Sequence, residues 1–451
     1  MNSILNFIVN INNSLFWGVP ALVLLFIVGL ILSLGTQFVQ FRKFGTILKD
    51  TLGTLGKSKN DQNGTISQFA AVSSSLAATV GMGNIVGVAS AIVLGGPGAV
   101  FWMIVAAFLG MIMKYFEVAL CIFYREKNEN GEYYGGPALY MSKGLNFKPI
   151  GTFITAMTVI ACVASAMIQT NVLVANLGKT LKLDYLSPYI LTAIVVVVIG
   201  AVVLGGIVRL GKVTEIIVPL MAMIYLAAGI VVLISNFQNI PGAIQIVFKG
   251  AFSPISVAGG AIGYGVINAA RYGFARGFFS NGGGQAIYCI PHAPAKVNNP
   301  IEQSMWAITE VFIDVVICVM TALVILSSGI VFEGANAALL VSSAFGQTFS
   351  ILELIIGISI ILFTFTTVIG FAYMAESQLN TMMNTKNVKI FRYIFLVLTY
   401  FGSVTALNAL WDISDFIFGL IMFVNLPILL YLSPKVFKMS SEHFNKMKKA
   451  A

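Results

Sequence analysis

The sequence predicts an all-α polytopic membrane protein, and three observations carry that reading. Its 451 residues are 58% hydrophobic and only 10% charged, with a mean hydropathy of +0.91, far below the charge content of a soluble domain. Windows of about 20 apolar residues, the length that crosses a bilayer as a helix, recur along the whole chain. Lysine and arginine gather in the stretches between those windows, as they do in cytoplasmic loops. The net charge of +9 is therefore a topology signal and gives no reason to expect nucleic acid. Cys121, Cys162, Cys289 and Cys318 all lie in apolar stretches and read as small packing residues, neither disulfides nor metal ligands. No Lys or Arg precedes the apolar run 15–34, so it reads as a span and not as a secretory leader.

Eleven candidate spans follow, at about 15–35, 66–94, 98–123, 150–176, 187–207, 214–235, 256–296, 303–328, 349–374, 391–410 and 414–434. An N-terminus outside and a C-terminus in the cytoplasm puts twenty of the twenty-six Lys and Arg residues inside. Only Lys179, Lys182 and Lys249 fall outside, and Lys114, Arg271 and Arg276 lie within spans. That asymmetry fixes the expected orientation. Setting the first span aside leaves ten, which divide into five and five. An odd number of spans per half gives the halves opposite topology, and each half opens with a glycine-interrupted helix. The expected organisation is an extra helix and cytoplasmic loop over 1–62, a first five-helix repeat over 63–240, a second over 241–435, and a basic cytoplasmic tail over 436–451.

The first interruption is the most informative stretch of the chain. Thr79, Val80, Gly81, Met82, Gly83 and Asn84 sit inside an apolar run, where an unwound backbone survives only if it is buried in protein or lines a cavity. The half-helix that follows would present unpaired amides and a positive dipole end to a carboxylate. The half-helix before it ends in carbonyls suited to sodium. Paired broken helices in two inverted halves point to a binding site at mid-membrane. The plain alternative is a glycine-rich helix packing closely on a neighbour. The second interruption, expected over 276–284, places Ser280 and Asn281 among glycines. It reads as a partner surface for a ligand ammonium or a cation, or else as a tight cytoplasmic loop.

Other polar residues within spans are candidates by default. Thr366 and Thr367 can offer hydroxyls to sodium or bond back to their own helix. Asp314 and Glu310 lie one turn apart in the span 303–328, with Arg271 and Arg276 as candidate partners for Asp314 or parts of a gate. Lys114 and Glu117, three residues apart, are expected to pair with each other. Gln169 and Asn171 read equally as helix-to-helix bonds or ligand contacts. The two histidines, His292 and His443, fit no catalytic motif, and HExxH and GxSxG elements are absent, so an enzyme is not expected. His292, after Pro291, reads as a helix-end residue.

These residues resemble a known family. Thr79-Val80-Gly81-Met82-Gly83-Asn84-Ile85-Val86-Gly87, the run Gly95-Gly96-Pro97-Gly98, then Gly135-Gly136-Pro137, Arg276-Gly277 with Phe279-Ser280-Asn281, Phe312-Ile313-Asp314 and Asn425-Leu426-Pro427 are similar to the alanine or glycine:cation symporters over about residues 14–434. The resemblance implies a LeuT-type 5+5 inverted repeat plus one extra N-terminal helix. It implies secondary active, sodium-coupled symport of a small neutral amino acid across the cell membrane, with no cofactor beyond the coupling ion. The implied substrate site comprises Thr79, Gly81, Met82, Gly83, Asn84, Gln169, Phe279, Ser280, Asn281 and Phe371, with the substrate carboxylate on the amides of Met82 and Gly83. The implied sodium ligands are backbone oxygens of Ala77, Val80 and Phe363 and the hydroxyls of Thr366 and Thr367. Three departures stand out. Gly282-Gly283-Gly284 replaces the family's Glu-Ala-Gly, Met82 stands where a threonine is common, and Phe371 where a tryptophan is usual. Loss of the acidic group bears on substrate range and coupling stoichiometry, and Met82 is expected to reshape the pocket. A glycine-lined channel is the rival reading; it predicts flux without accumulation.

Overall fold

Apolar runs become helices here because hydrocarbon offers no partner for a backbone amide or carbonyl, and a helix satisfies both within its own segment. The computed structural model describes residues 2–54, 63–183, 185–252, 265–335, 337–404 and 408–450. Helices Val19–Gly35, Ala99–Phe123, Lys148–Leu181, Pro188–Val203, Gly206–Ser235, Pro300–Ser327, Ser350–Leu379, Thr385–Ser403 and Asn408–Ala450 fall on nine of the expected intervals. The other two intervals hold the interrupted helices. Seven described helices are long and apolar enough to cross a membrane, or eight when one bent pair is counted as a single span. Pro188–Val203 has only 16 residues, and Thr385–Ser403 opens on Lys386, Lys389 and Arg392, so length and composition alone do not reach eleven. Several helices lie outside the expected intervals, among them Asn2–Ile11, Phe44–Thr51, Pro137–Gly144, Ile240–Phe252 and Ala337–Thr348. The last helix runs on through Pro427 and Pro434 to Ala450, so the described residues of the expected basic tail are helical.

The first interruption lies where the sequence puts it. Helix Gln68–Thr79 starts at Ser67, whose side chain accepts from Ala70 N, and ends at Val80, which turns extended with ψ 100. The next half continues through a π-turn, Gly83–Gly87, into Val88–Gly95, bent by 52° from the first. The second interruption begins later than expected. Helix Val266–Asn281 is continuous through Arg276, Gly277 and Ser280 and is capped by left-handed Gly282 with φ 70. Gly284 (φ 83) and Ala286 (φ 64) carry the chain into a 3-10 turn, Ile287–His292. The start of the expected span 256–296 falls on residues 253–264, outside the described residues.

Gly277 is helical because its role is contact. A Cβ there would meet Ala106 Cβ at 2.7 Å, and one at Gly273 would meet Ala99 O at 2.4 Å. These two glycines, one turn apart, let Val266–Asn281 lie directly on Ala99–Phe123, the small-residue packing that membrane helices favour. Gly283 closes the same seam, since its Cβ would stand 2.6 Å from Gly110 Cα.

At one end of the broken helices the chain ties the two segments that flank them. Ile66 and Ala295 form a parallel bridge, and Thr65 N and Ile66 N both donate to Pro294 O. The Arg125 guanidinium donates to the carbonyls of Ala293, Ala295, Asn63 and Val297 at 2.7–2.9 Å. One side chain thus engages four backbone oxygens, of which Asn63 O also accepts from Val297 N at 3.0 Å.

The glycine seam makes a direct prediction. Gly277→Ala adds a methyl group with nowhere to go and should lower the melting temperature of the purified protein, at a cost of about 1–3 kcal/mol. Gly242→Ala, where nothing lies within 4 Å of the added carbon, should leave it unchanged or raise it slightly. Equal melting curves for the two variants would contradict the packing described here.

Candidate functional site

The site grows from one short stretch of backbone. Val80 leaves the helix, and Gly81 N donates to Asn84 Oδ1 at 3.1 Å while Asn84 N donates to Gly81 O at 3.3 Å. This local turn holds the chain open over residues 80–83. Gly81 is required by contact, because a Cβ would stand 2.8 Å from Thr367 Oγ1. At Gly83 a Cβ would meet Ser280 Cα at 3.3 Å, so the two interrupted helices touch at this point. Met82 caps the π-turn that Gly83 begins, and the first amides of a helix have no acceptor within it.

Asp314, from Pro300–Ser327, joins the two interruptions. Asn84 Nδ2 donates to Asp314 Oδ1 at 2.6 Å and Ser280 Oγ donates to Oδ2 at 2.9 Å. Cys318 Sγ lies 3.3 Å from each of those donors, and Thr321 Oγ1 donates to Asn84 O at 2.9 Å. The arginine partners considered for Asp314 lie elsewhere. Arg271 donates to Asn13 O, and Arg276 lines a different cavity.

One turn earlier on the same helix, Glu310 Oε1 accepts from Lys114 Nζ at 2.7 Å and from Thr79 Oγ1 at 3.3 Å. His292 Nε2 lies 3.0 Å from Glu310 Oε2, and His292 Nδ1 lies 2.9 Å from Gln303 Nε2. Lys114, Glu310 and His292 are all fully buried. Lys114 therefore pairs across helices and not with Glu117, because the Glu117 carboxylate is turned toward the second interruption. There Glu117 Oε1 accepts from Ala286 N at 3.0 Å and from Asn425 Nδ2 at 2.7 Å. His292 is likewise more than a helix-end residue. The glycine at 282 also has a local cause: its φ is 70, and a Cβ would strike the Tyr288 ring at 2.4 Å.

A small cavity opens against the first interruption. Of the expected substrate residues, Thr79, Gly81, Met82, Gly83, Gln169, Phe279 and Phe371 line it. Asn84, Ser280 and Asn281 do not. The first two face Asp314, and Asn281 Oδ1 accepts from Gly283 N at 2.8 Å. Polarity beside a break is shared by ligand groups and by the groups that brace the break, and these three brace it. The lining also includes Ser165, Tyr288, Trp411 and Ser414, which the sequence reading missed. Ser165 had a signal, since it stands four residues before Gln169 on the same helix face. Gln169 Oε1 has no hydrogen-bond partner among the described residues. Asn171, by contrast, is a helix-to-helix bond, its amide donating to Ser403 O. The free volume is about 30 Å³, the share of one water in the liquid, so the cavity is closed down on itself. Among the described residues its lining contains no Asp, Glu, Lys, Arg or His.

The expected sodium residues come from two elements, Ala77 and Val80 from the first half-helix and its end, and Phe363, Thr366 and Thr367 from Ser350–Leu379. Thr367 Oγ1 donates to Phe363 O at 2.8 Å while facing Gly81, and it lines the cavity. Thr366 Oγ1 donates to the same carbonyl at 3.0 Å, but beside Met221 Sδ at 3.6 Å. Ala77, Val80 and Phe363 are buried. All the oxygens of this set are neutral, the donor type that a hard monovalent cation accepts.

Comparison with known proteins extends the picture. The family model described as the sodium:alanine symporter family matches residues 1–451. A sodium/alanine symporter, AgcS of Methanococcus maripaludis, is 36% identical over 452 residues, covering 98% of each chain. A probable sodium/glutamine symporter, GlnT of Bacillus subtilis, is 33% identical over 456 residues, covering all of this chain and 93% of its own. Among solved structures, MhsT in complex with L-phenylalanine superposes with a TM-score of 0.59 at 13% identity, over 82% of this chain and 90% of that one. That likeness carries the LeuT-type fold.

The bracing role of Asp314 can be tested on its own. Asp314→Asn removes the charge that accepts from both interruptions and should cost about 2 kcal/mol of stability, the order for hydrogen bonds to a charged group. Ion dependence should survive in the protein that remains folded. A normal melting curve together with lost gradient-driven uptake would show that Asp314 belongs to the coupling chemistry instead.

Proposed function

The chain belongs to the sodium:alanine symporter family and is a multi-pass, cation-coupled amino-acid transporter, and from that premise we propose that it couples sodium to the uptake of a small neutral amino acid. One observation carries the substrate class. The unwound backbone at 80–83 faces a cavity with no Asp, Glu, Lys, Arg or His among its described lining residues. A side-chain charge on the substrate would find no counter-charge there and would be costly to bury. A zwitterion finds both of its partners without one. The carboxylate meets the amides of Met82 and Gly83 at a helix start. The ammonium meets oxygen acceptors, with Gln169 Oε1 the one that has no other partner among the described residues.

The alanine and glutamine in the relatives' names bracket the size of substrate to be tried. Met82 and Phe371 both line the cavity and are the side chains that set its width. In the proposed cycle the bundle carrying the two interrupted helices rocks against the remaining spans, opening the site to each side in turn. The lysine and arginine asymmetry supports an outside N-terminus and a cytoplasmic C-terminus. Sodium is proposed to sit between Val80 and the Phe363–Thr367 turn, with Ala77, Val80 and Phe363 oxygens and the two threonine hydroxyls as ligands.

Uptake of labelled alanine, glycine and glutamine into proteoliposomes tests the proposal. Saturable accumulation that requires an inward sodium gradient is expected. Flux that never exceeds equilibrium, with no saturation by amino acid, would be the signature of a channel and would overturn it. Two variants localise the effect. Gly83→Leu fills the break and should abolish amino-acid binding at the break in a protein that still melts cooperatively. Thr367→Val should raise the half-maximal sodium concentration by about tenfold, equivalent to about 1.4 kcal/mol. Thr366→Val should have the smaller effect, because its hydroxyl faces Met221 (3.6 Å). Unchanged sodium dependence in the double variant would remove the threonines from the ion site.

A further inference from the structure

The small cavity at the first interruption holds one hydrogen bond that belongs to neither interrupted helix. Ser165 Oγ, from Lys148–Leu181, lies 3.0 Å from Ser414 Oγ, from Asn408–Ala450, and both residues are buried and line the cavity. Serine and threonine hydroxyls in membrane helices commonly bond back to a carbonyl of their own helix. Ser142, Thr364 and Thr399 do so here, at 2.6–2.7 Å. Among the described residues, Ser165 and Ser414 bond only to each other.

That pairing leaves a remainder. Two hydroxyls carry two protons and four lone pairs, and their mutual bond uses one of each. One proton is therefore without an acceptor among the described residues. Trp411 and Phe418 stand one turn to either side of Ser414 on the same helix face and also line the cavity. Their rings carry no lone pair for a hydroxyl proton. Ser165 in turn stands one turn, about 6 Å, from Gln169 on the same face of its own helix. Gln169 Oε1 is the acceptor assigned above to the substrate ammonium.

We propose that Ser165 and Ser414 read the side chain of the substrate, and that they select an amino acid with a hydroxyl on its β-carbon, L-serine first. With the carboxylate at Met82 and Gly83 and the ammonium at Gln169, the first substituent on the β-carbon meets the serine pair. The substrate hydroxyl accepts the unused proton of the pair and donates its own to a remaining lone pair. A methyl group in that place leaves a buried donor unmet, which weakens binding. A site built to hydrogen-bond a hydroxyl discriminates against the analogue that lacks it. The free volume of about 30 Å³ favours one added oxygen over the longer carboxamide of glutamine. The proposal rests on the amino-acid transport reading above and narrows its substrate class.

Equilibrium binding to the full chain in lipid nanodiscs with sodium tests this with L-serine, L-alanine and L-2-aminobutyrate, which has the size of serine and a methyl group in place of the hydroxyl. The wild type should bind L-serine about tenfold tighter than either of the others, equivalent to about 1.4 kcal/mol. Ser165→Ala and Ser414→Ala, on different helices, should each bring the three dissociation constants to within about twofold of one another. If one of them does not fold, the other gives the answer. Wild-type protein that binds L-alanine or L-2-aminobutyrate as tightly as L-serine would overturn the proposal while leaving the transport reading intact. So would a tenfold preference for L-serine retained in a folded variant, which would reduce the pair to a bond between two helices. L-glutamine bound in preference to L-serine would likewise overturn the proposal alone. No binding of any of these four amino acids would overturn the transport reading itself, and the proposal with it.

Discussion

The structure depends on one carboxylate. A helix interrupted in hydrocarbon exposes backbone groups that need partners, and this fold brings two interrupted helices into contact at Gly83 and Ser280. Asp314 ties the two together by accepting from the side chains of Asn84 on one and Ser280 on the other. Because Asn84 also accepts from Gly81 N, the bond to Asp314 sets the shape of the open backbone itself. A buried carboxylate is costly unless its oxygens are engaged, and here both are. The arrangement is stable only when both interruptions are in register, so a requirement of solvation becomes a requirement of geometry.

Glu310 repeats the device one turn away. Through Thr79 it reaches the end of the first half-helix, and through Lys114, whose ammonium also approaches Asn281 O at 3.4 Å, it reaches the end of Val266–Asn281. Residues 310 and 314 share a helix face, so one side of Pro300–Ser327 braces both interruptions. With the Arg125 clamp on the flanking segments, these bonds make the interrupted helices and their two neighbours a unit suited to moving as a body. The cavity is then shaped by what that unit faces, chiefly Phe371 and Thr367 of Ser350–Leu379 and Gln169 of Lys148–Leu181. The charges of Asp314, Glu310 and Lys114 stay inside the unit, and the described lining of the cavity it faces is neutral.

The first interruption was legible because its residues contradict their surroundings. Gly81, Gly83 and Asn84 are poor helix formers in a run otherwise fit to span a bilayer. The second was legible in kind but displaced in position, because a glycine that turns the chain and a glycine that admits a neighbour look alike in sequence. Gly277 is the second sort and Gly282 the first. Partners across helices were the least legible. Lys114 and Glu117 have the spacing of a pair, yet each bonds to a different helix. Asn84, Ser280 and Asn281 have the chemistry of ligand groups but point into the scaffold. Spacing along one helix reports which residues share a face, and the identity of the opposing face comes only from packing. For that reason Ser165 was recoverable from Gln169, while Trp411 and Ser414 were not.

The central claim is that the amino acid is held by open backbone, at the amides of Met82 and Gly83. Amide hydrogen exchange on the wild-type protein in lipid, resolved at residues 80–84 and compared with and without saturating amino acid and sodium, addresses it most directly. The account predicts that exchange at Met82 and Gly83 slows on binding more than at Gly81, whose amide already has its acceptor in Asn84. Exchange at Met82 and Gly83 that is the same in the free and saturated protein would contradict it.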